Sequence, residues 1–256
     1  MPTSNEGDQG KTTLLKLLNE ALLRRNVKKA IYQGDPDHLE LMNSYPGQVT
    51  LFDSRSDRDG IITAIDNDAD HVLIDLPAGS IITFYNIFKD MNSFFKVFEM
   101  ANALPIFMIP VVSVKSLGSV DKVSELLEGT TGEYKIVYCL NEGLMPDIKE
   151  VTKAFQENDT VKRNLASGIA QVMKITTIFT ASFAEIVNND MLRASLTAST
   201  SATGKRIGLM DKALMHDLLR KTDDQFEQIF DLEKIDDRTE SEKWLESESA
   251  KQIKKK

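Results

Sequence analysis

The sequence predicts a doubly wound α/β fold, in which helices cover both faces of a mostly parallel sheet and the first strand is truncated. Several short runs are apolar throughout, as strands are when both of their faces are buried. Stretches with apolar residues at helical spacing separate these runs. Strands that alternate with helices are typical of a parallel sheet, because each crossover carries a helix onto one face of the sheet.

The chain begins with a very short strand and a long helix. Apolar residues recur on one face between Thr12 and Arg25, which predicts an amphipathic helix. Only "MPTS" stands where the first strand is expected. An upstream in-frame stretch of four or five apolar residues would restore that strand, and the sequence leaves open whether Met1 is the true start.

The remaining elements follow in alternation. Strands are predicted at "KKAIYQ" (28–33), "QVTLFD" (48–53), "HVLID" (71–75), "LPIFMIPVVS" (104–113), "YKIVYCLN" (134–141) and "KITTIFT" (174–180). Helices are predicted at 60–66, 84–101, 117–127 and 147–155, with a long C-terminal helix at 209–232. The charged stretch from 236 onward predicts a disordered tail, so we assign one domain to residues 1–235 and a tail to 236–256.

Composition excludes several functional classes. The net charge of −8 argues against a dedicated nucleic-acid-binding protein. No apolar run is long enough to span a membrane, and no signal peptide opens the sequence. The single cysteine, Cys139, lies in a strand and fits the reducing cytoplasm. The three histidines have no ligand spacing, so no zinc site is expected.

The polar stretch before the first helix fits a phosphate-binding loop. In such a loop, glycine-rich backbone directs N–H groups at phosphates, a lysine adds positive charge, and the next hydroxyl ligates Mg²⁺. Gly7, Gly10, Lys11 and Thr12 supply these parts, although Asn5 stands where the pattern G-x-x-x-x-G-K-[ST] has its first glycine. The alternative interpretation is a chance G-K-T before a helix.

Two aspartates follow predicted strands and support the phosphate-loop interpretation. Asp35 comes after the strand that ends at Gln33, and Asp75 ends the strand "HVLID". In an open parallel sheet the carboxyl ends of the strands lie at one edge, where ligands bind. A carboxylate beside the loop is what a phosphate-binding ATPase needs to hold the Mg²⁺ shell. Each aspartate alone would be an ordinary strand-end cap.

The order of these motifs resembles the ParA/MinD superfamily of deviant Walker ATPases. The motifs are G-x-x-G-K-T-T, then a strand followed by Asp35-Pro36, then an apolar strand followed by D-x-P-A-G, and the likeness covers residues 4–235 in layout. "LPAG" and "LNEG" are similar to plasmid-borne members that serve stability, partition or conjugative transfer.

This resemblance implies ATP and Mg²⁺ as cofactors and assigns roles to residues. Catalysis would involve Lys11, Asp35, which would position the attacking water, and Asp75. Thr12 and Asp75 would hold the metal, while Pro77, Ala78 and Gly79 would sense the γ-phosphate. Nucleotide would be bound by Gly7, Asp8, Gln9, Gly10, Lys11, Thr12, Thr13 and Asn141, the last of these at the adenine.

Two departures from the family pattern predict slow hydrolysis. Glu6 stands where the family has a lysine that reaches the phosphates of the partner subunit, and Gln33 replaces the first aspartate of D-x-D-P. An acid so close to a triphosphate repels it. The rival hypothesis is therefore a degenerate scaffold that binds partner proteins without hydrolysis. A small-molecule kinase is a weaker rival, since no arginine-rich lid is evident.

Partners are also predicted from the resemblance. They are ATP, a nucleotide-dependent homodimer, a partner protein and non-specific DNA, with no membrane attachment. The basic pairs Lys162-Arg163, Lys205-Arg206 and Arg220-Lys221 are the candidate DNA contacts, although such pairs are usually just solvated surface. The C-terminal stretch has too little apolar surface for an amphipathic membrane anchor.

Overall fold

A computed structural model describes residues 1–4, 10–66, 68–79, 82, 90–175, 192, 196, 199–201 and 204–234. The helices in this part of the chain are α1 (Lys11–Arg24), α2 (Glu40–Ser44), α3 (Arg58–Ile65), α4 (Met91–Met100), α5 (Leu117–Leu127), α6 (Ile148–Glu157), α7 (Asp159–Ala166) and α8 (Leu209–Phe230). The strands are β1 (Lys29–Gln33), β2 (Val49–Leu51), β3 (His71–Asp75), β4 (Ile106–Val111), β5 (Lys135–Asn141) and β6 (Ala170–Ile175).

The strands form two parallel sheets of three, in the orders β2-β1-β3 and β4-β5-β6. The short N-terminal segment, residues 1–4, lies between them. Pro2 is bridged in parallel to Met108 of β4, and the Thr3 N–H donates to the Met108 carbonyl at 2.8 Å. The Ser4 carbonyl accepts from the N–H of Gly79, which follows β3, at 2.7 Å. The truncated first strand predicted from the sequence thus connects the two sheets.

Helices cover both faces of the sheets, so the predicted doubly wound α/β fold is confirmed. One buried cluster contains residues of α1 and α8, and the other contains residues of α3, α4 and α5. Along β4, Phe107 and Ile109 pack into the second cluster while Met108 packs into the first. Because both faces of such a strand are buried, its sequence is a continuous apolar run rather than an alternating one.

Buried ion pairs join the first and last helices of the described chain. Arg24 Nη1 lies 2.8 Å from Asp223 Oδ2, and Arg25 Nη2 lies 2.6 Å from Glu227 Oε1. The Arg25 side chain is only 1% exposed. Charges buried this deeply need a partner, since an unpaired buried charge is strongly destabilising. The C-terminal end of α1 is therefore held against α8.

Two predicted elements differ from the structure, and two helices, α2 and α7, were not predicted. β6 begins at Ala170, four residues earlier than expected, and residues 176–180 lie outside the described residues. Only Ala170, Met173 and Ile175 of this strand are buried, so its sequence lacks the continuous apolar run. α4 begins at Met91, where Asp90 caps it by accepting from the Ser93 N–H, and residues 83–89 are not described. The unpredicted α7 is capped by Asn158. The tail from 236 also lies outside the described residues.

Candidate nucleotide-binding site

The start of α1 has the geometry of an anion site. Gly10, at its N-cap, has φ 78° and ψ 26°, a left-handed conformation that favours glycine. A Cβ on Gly10 would lie 2.8 Å from Nδ2 of Asn141, so a side chain at this position would displace the Asn141 amide. The first N–H groups of a helix have no partner within it and carry a partial positive charge. They suit a phosphate.

Lys11 lies beside this helix end and contacts the N-terminal segment. Its side chain is largely buried, and Nζ donates to Ser4 Oγ at 3.2 Å. Ser4 also accepts the N–H of Gly79 through its carbonyl. Ser4 therefore connects Lys11 to the turn at Gly79, in the Pro77–Gly79 segment for which the resemblance implies phosphate sensing.

Asp75 lies under the first turn of α1, at the end of β3. Thr12 Oγ1 donates to Asp75 Oδ2 at 2.8 Å. Gln33 Nε2 donates to the same oxygen at 3.3 Å, because Gln33 and Asp75 are directly paired in the β1–β3 register. The phosphate-loop threonine and the predicted metal-binding carboxylate are thus in direct contact.

Burial dominates the electrostatics of Asp75. It raises the pKa of the carboxyl from its ordinary value to about 6, and the hydrogen bond from Thr12 and the charge of Lys11 oppose that rise. The nearby carboxylates of Glu40 and Asp35 add to it. A desolvated carboxylate with acidic neighbours is stabilised by an added cation.

The residues at this position fit Mg²⁺. Magnesium prefers oxygen ligands and is usually held by one or two carboxylates together with substrate phosphates and water. Asp75 and the Thr12 hydroxyl would hold the ion. Oε1 of Gln33 is buried and has no hydrogen-bond partner in the part of the chain that is described, which leaves an acceptor for a metal-bound water. In that same part, no group of three His, Cys, Asp or Glu residues could hold a metal alone.

Asp35 lies at the same edge of the sheet, two residues beyond β1. It is 9% exposed, and its Oδ1 accepts the N–H of Asp37 at 3.2 Å, which fixes the turn after the strand. The Gly34 N–H donates to the Asp75 carbonyl at 2.7 Å, so the chain leading to Asp35 is held beside Asp75. The two aspartates predicted to share an edge are therefore neighbours, and the water-positioning role of Asp35 stays a prediction.

Asn141 ends β5 and is buried against Gly10. Its Oδ1 has no hydrogen-bond partner among the described residues, so it offers an acceptor at the start of α1. The adenine contact predicted for it stays a prediction. Thr13 lies in the first turn of α1. Gly7, Asp8 and Gln9, which were also assigned to the nucleotide, lie outside the described residues, as do Asn5 and Glu6.

Sequence reasoning missed two residues of the site. Ser4 was treated as part of a truncated strand, yet it contacts Lys11. Gln33 was treated as a departure from a motif, yet it donates to Asp75. The parallel pairing of adjacent strands could have identified Gln33, because strand ends in register lie next to each other.

Comparison with known proteins gives similarity of fold at low sequence identity. No protein-family model matches the chain, and no curated protein matches its sequence. Similar solved structures include MinD of Aquifex aeolicus (16% identity, covering 93% of this chain and 98% of that one, TM-score 0.45). Another is an ATP complex of McdA from Cyanothece (15% identity, covering 92% of this chain and 96% of that one, TM-score 0.49). A third is MinD with Mg-ADP from Pyrococcus horikoshii (14% identity, covering 88% of this chain and 95% of that one, TM-score 0.46).

The sequence motifs of the site resemble those of the ParA/MinD superfamily. The resemblance is carried by the glycine-lysine-threonine start of α1 and by the aspartate at the end of β3, which the structure brings into contact.

The raised pKa of Asp75 predicts a specific pH dependence of stability. Between about pH 4 and 6 the folded chain holds a proton that the unfolded chain has lost, so the free energy of unfolding falls as pH rises through this window. The Asp75→Asn variant has no carboxyl to titrate at this position, so this fall in its free energy of unfolding is absent. Its stability relative to wild type should be about 1 kcal/mol higher at pH 7.5 than at pH 5, measured by urea unfolding without Mg²⁺.

The matched control for this experiment is Asp217→Asn. The hydrogen bond that Lys221 donates to Asp217 holds the pKa of this carboxyl below its ordinary value. Asp217 is therefore ionised in the folded and in the unfolded chain from pH 5 to 7.5. Its replacement should change stability equally at both pH values. A difference that is the same for both variants would show that Asp75 is not the titrating group.

Proposed function

We propose that the chain is an ATP-binding, slowly hydrolysing ATPase of the ParA/MinD kind that acts in plasmid maintenance, partition or conjugative transfer. The observation that carries the proposal is the 2.8 Å hydrogen bond between Thr12 and Asp75. It brings a hydroxyl at a helix N-terminus against a buried carboxylate at a strand end, beside a buried lysine. Those three groups are what Mg²⁺-dependent phosphate binding requires.

Each residue has a distinct part in the proposed reaction. The N–H groups at the start of α1 bind phosphate oxygens, and Lys11 adds a full positive charge beside them. Thr12 and Asp75 would hold Mg²⁺, and the ion would supply positive charge to neutralise the phosphate oxygens. Asp35 orients the attacking water. Asn141, packed on Gly10, keeps the loop end and β5 together.

Slow hydrolysis follows from the charges around the site. Phosphoryl transfer is accelerated mainly by charge stabilisation, and a cationic finger contributes three to five powers of ten in rate. In this chain Glu6 occupies the position where the family has its trans-acting lysine. A partner that supplies a basic residue would therefore raise the rate.

The proposed partners are ATP, a second copy of this chain and a partner protein. MinD of Aquifex aeolicus has been solved in complex with MinC, which is a precedent for partner binding in a protein of similar fold. Non-specific DNA contact is proposed through the basic pairs Lys162-Arg163, Lys205-Arg206 and Arg220-Lys221. Local ion pairs weaken two of these candidates, since Asp217 lies 3.2 Å from Arg220 and 2.7 Å from Lys221, and Asp159 lies 3.3 Å from Lys162.

We propose a cytoplasmic location on the strength of the single buried cysteine. Among the helices that the structure describes, none has both the length and the apolar character to cross a membrane. The plasmid role rests on the likeness of "LPAG" and "LNEG" to plasmid-borne members of the superfamily.

A non-hydrolysing scaffold is the second candidate function. It is favoured by Gln33, because a neutral amide occupies the position of a family carboxylate and donates to Asp75 rather than adding negative charge for the metal. ATP binding is common to both candidates, and hydrolysis separates them. The kinase alternative has no observation in its favour among the described residues.

The proposed function predicts an effect of Lys11 on ATP binding. Lys11→Ala should weaken ATP affinity more than tenfold, about 1.4 kcal/mol or more, because the charge on the outer phosphates is lost. Titration calorimetry in the presence of Mg²⁺ measures the change. Lys96→Ala is the matched control, since Lys96 is exposed on α4 and pairs only locally with Glu99. Equal ATP affinity in the Lys11 and Lys96 variants would remove the phosphate-loop interpretation.

The proposed function also predicts how Glu6 and Asp35 affect hydrolysis. Glu6→Lys should raise basal phosphate release and ATP-dependent dimerisation, because it restores the missing cation. Asp35→Ala should keep ATP binding and abolish hydrolysis. Asp37→Ala is the matched control, an exposed carboxylate two residues further along that pairs with Arg55. It should retain whatever basal turnover the wild type has.

The outcomes of that assay distinguish the candidates. Brisk release by the wild type that Glu6→Lys slows would show that the catalytic charge comes from elsewhere in the chain. No release by any variant, with or without DNA, would favour the scaffold.

A further inference from the structure

β6 is the outer strand of its sheet, and one of its edges faces away from β5. It ends the order β4-β5-β6 and, among the described residues, pairs with β5 alone. The Ile169 carbonyl accepts the N–H of Ile136 on β5, so the backbone groups of Ile169 point toward β5. Because backbone groups alternate in direction along a parallel strand, those of Ala170, Val172 and Lys174 point away from β5. We call this row of backbone groups the β6 outer edge.

The side chain of Gln225, on α8, bonds to this edge at Lys174. Its Oε1 accepts the Lys174 N–H at 2.6 Å, and its Nε2 donates to the Lys174 carbonyl at 2.7 Å. Nε2 also donates to the Lys221 carbonyl, one turn earlier in α8, at 3.1 Å, which helps to fix the orientation of the amide. In an antiparallel pair of strands, the N–H and carbonyl of one residue bond the same two groups of the residue opposite. The Gln225 amide therefore occupies the place of a residue in a neighbouring strand.

The rest of the β6 outer edge is open. In the part of the chain that the structure describes, no other group bonds to the outward backbone of Ala170 or Val172. Val172 is also 37% exposed, although its side chain is apolar. An open strand edge is a template for pairing with another chain, and proteins commonly block such edges.

The sequence around this edge favours strand pairing. The run "ITTIFT" (175–180) directly follows Lys174 and contains only β-branched and aromatic residues, with no charge. Such a composition is typical of segments that pair between chains. Gln225 thus closes the edge at the residue where this run begins.

A second copy of this chain fits the β6 outer edge by two-fold symmetry. With Val172 at the two-fold axis of an antiparallel pair, Val172 faces its own copy, and Ala170 of each chain faces Lys174 of the other. No like charges lie opposite each other in this register, since each Lys174 faces an alanine. Gln225 occupies both backbone groups of Lys174 in each copy, so only the Val172 pair could form while these bonds are in place.

The charges on α8 beside this edge are compatible with the same pairing. Asp217 and Lys221 precede Gln225 at spacings of four residues, so the three lie in one row on α8. Asp217 is 2.7 Å from Lys221 and 3.2 Å from Arg220. The row therefore carries both signs of charge, and two copies would not repel each other as two cationic surfaces would.

We propose that the β6 outer edge is a self-association surface of this chain and that Gln225 keeps it closed. With the Gln225 bonds in place, two copies lack the pairs between Ala170 and Lys174, and the chain does not associate through β6. Without these bonds, the facing strands pair and join the sheets of two copies into one. The proposal is independent of nucleotide binding and concerns a surface other than the candidate nucleotide site.

The first test compares the wild type with Gln225→Ala and Gln228→Ala, all without nucleotide. Gln228 is the matched control, because it is an exposed glutamine on the same helix, three residues further along. Sedimentation velocity over a range of concentrations measures association. Amide hydrogen exchange at Lys174, measured at concentrations low enough to keep each chain monomeric, reports the Gln225 bond.

The Gln225→Ala chain should form a concentration-dependent dimer, whereas the wild type and Gln228→Ala should remain monomeric. Its Lys174 amide should exchange at least about tenfold faster than that of the wild type, because the bond that protects it is lost. Association and exchange equal to those of the wild type would overturn the proposal. Faster exchange without association would overturn it as well, since Gln225 would then be only a local contact.

A second test identifies the surface that associates. Val172→Lys and Val172→Glu, each combined with Gln225→Ala, place like charges opposite each other at the two-fold axis, so each chain alone should be monomeric. An equimolar mixture of the two should dimerise, because opposite charges then meet. A dimer that persists in either chain alone, or a mixture that stays monomeric, would show that β6 does not pair with β6 and would overturn the proposal.

Discussion

The hydrogen bond between Thr12 and Asp75 ties the first helix to the sheet, and much of the remaining structure is arranged around it. Asp75 is buried, so its carboxylate needs donors, and it takes them from α1 and from the neighbouring strand β1. Gly10 permits the approach, because any side chain there would collide with Asn141. Strand β5 is thus fixed to the same helix end from the other side. The site is therefore held in place by contacts between α1 and the ends of β1, β3 and β5.

Gln33 changes the electrostatics of that arrangement. A second carboxylate at this position would face Asp75 across one strand spacing and raise its pKa further, since like charges disfavour ionisation. The amide instead donates to Asp75 and leaves its own carbonyl oxygen without a partner among the described residues. The net effect is a site with one strongly desolvated carboxylate and a neutral acceptor, which offers a divalent cation less total negative charge than a pair of aspartates would.

Most of the fold could be predicted from the sequence, and the errors have physical causes. β4 and β5 are buried on both faces, so their continuous apolar runs are unmistakable. β6 lies at the end of its sheet, and half of its residues are exposed, so its apolar signal is weak. The strand was therefore predicted too late in the chain, at 174–180. α7 was not predicted because no loop separates it from α6. Asn158 ends α6 and also caps α7.

The candidate site was predicted from motifs, but its connections were not. Lys11, Thr12 and Asp75 were identifiable because each sits in a recognisable short pattern. Ser4 was not, because its role comes from the position of the N-terminal segment between two sheets. The position of a segment between two sheets depends on the order of the strands, and strand order cannot be read directly from a single sequence.

The ion pairs between α1 and α8 have a consequence for the order in which the molecule is assembled. The Arg25 bond to Glu227 joins residues 202 positions apart, and the leucines of α1 pack in the same cluster as Phe226. During synthesis, α1 emerges early, yet the part of its apolar face that packs on α8 stays uncovered, and Arg24 and Arg25 lack their acidic partners on α8, until α8 is made. Closing so long a loop is slow, since its conformational entropy is lost before the contacts form. The helix that begins at the candidate phosphate site is thus among the last to be secured, and a chain lacking α8 would expose it.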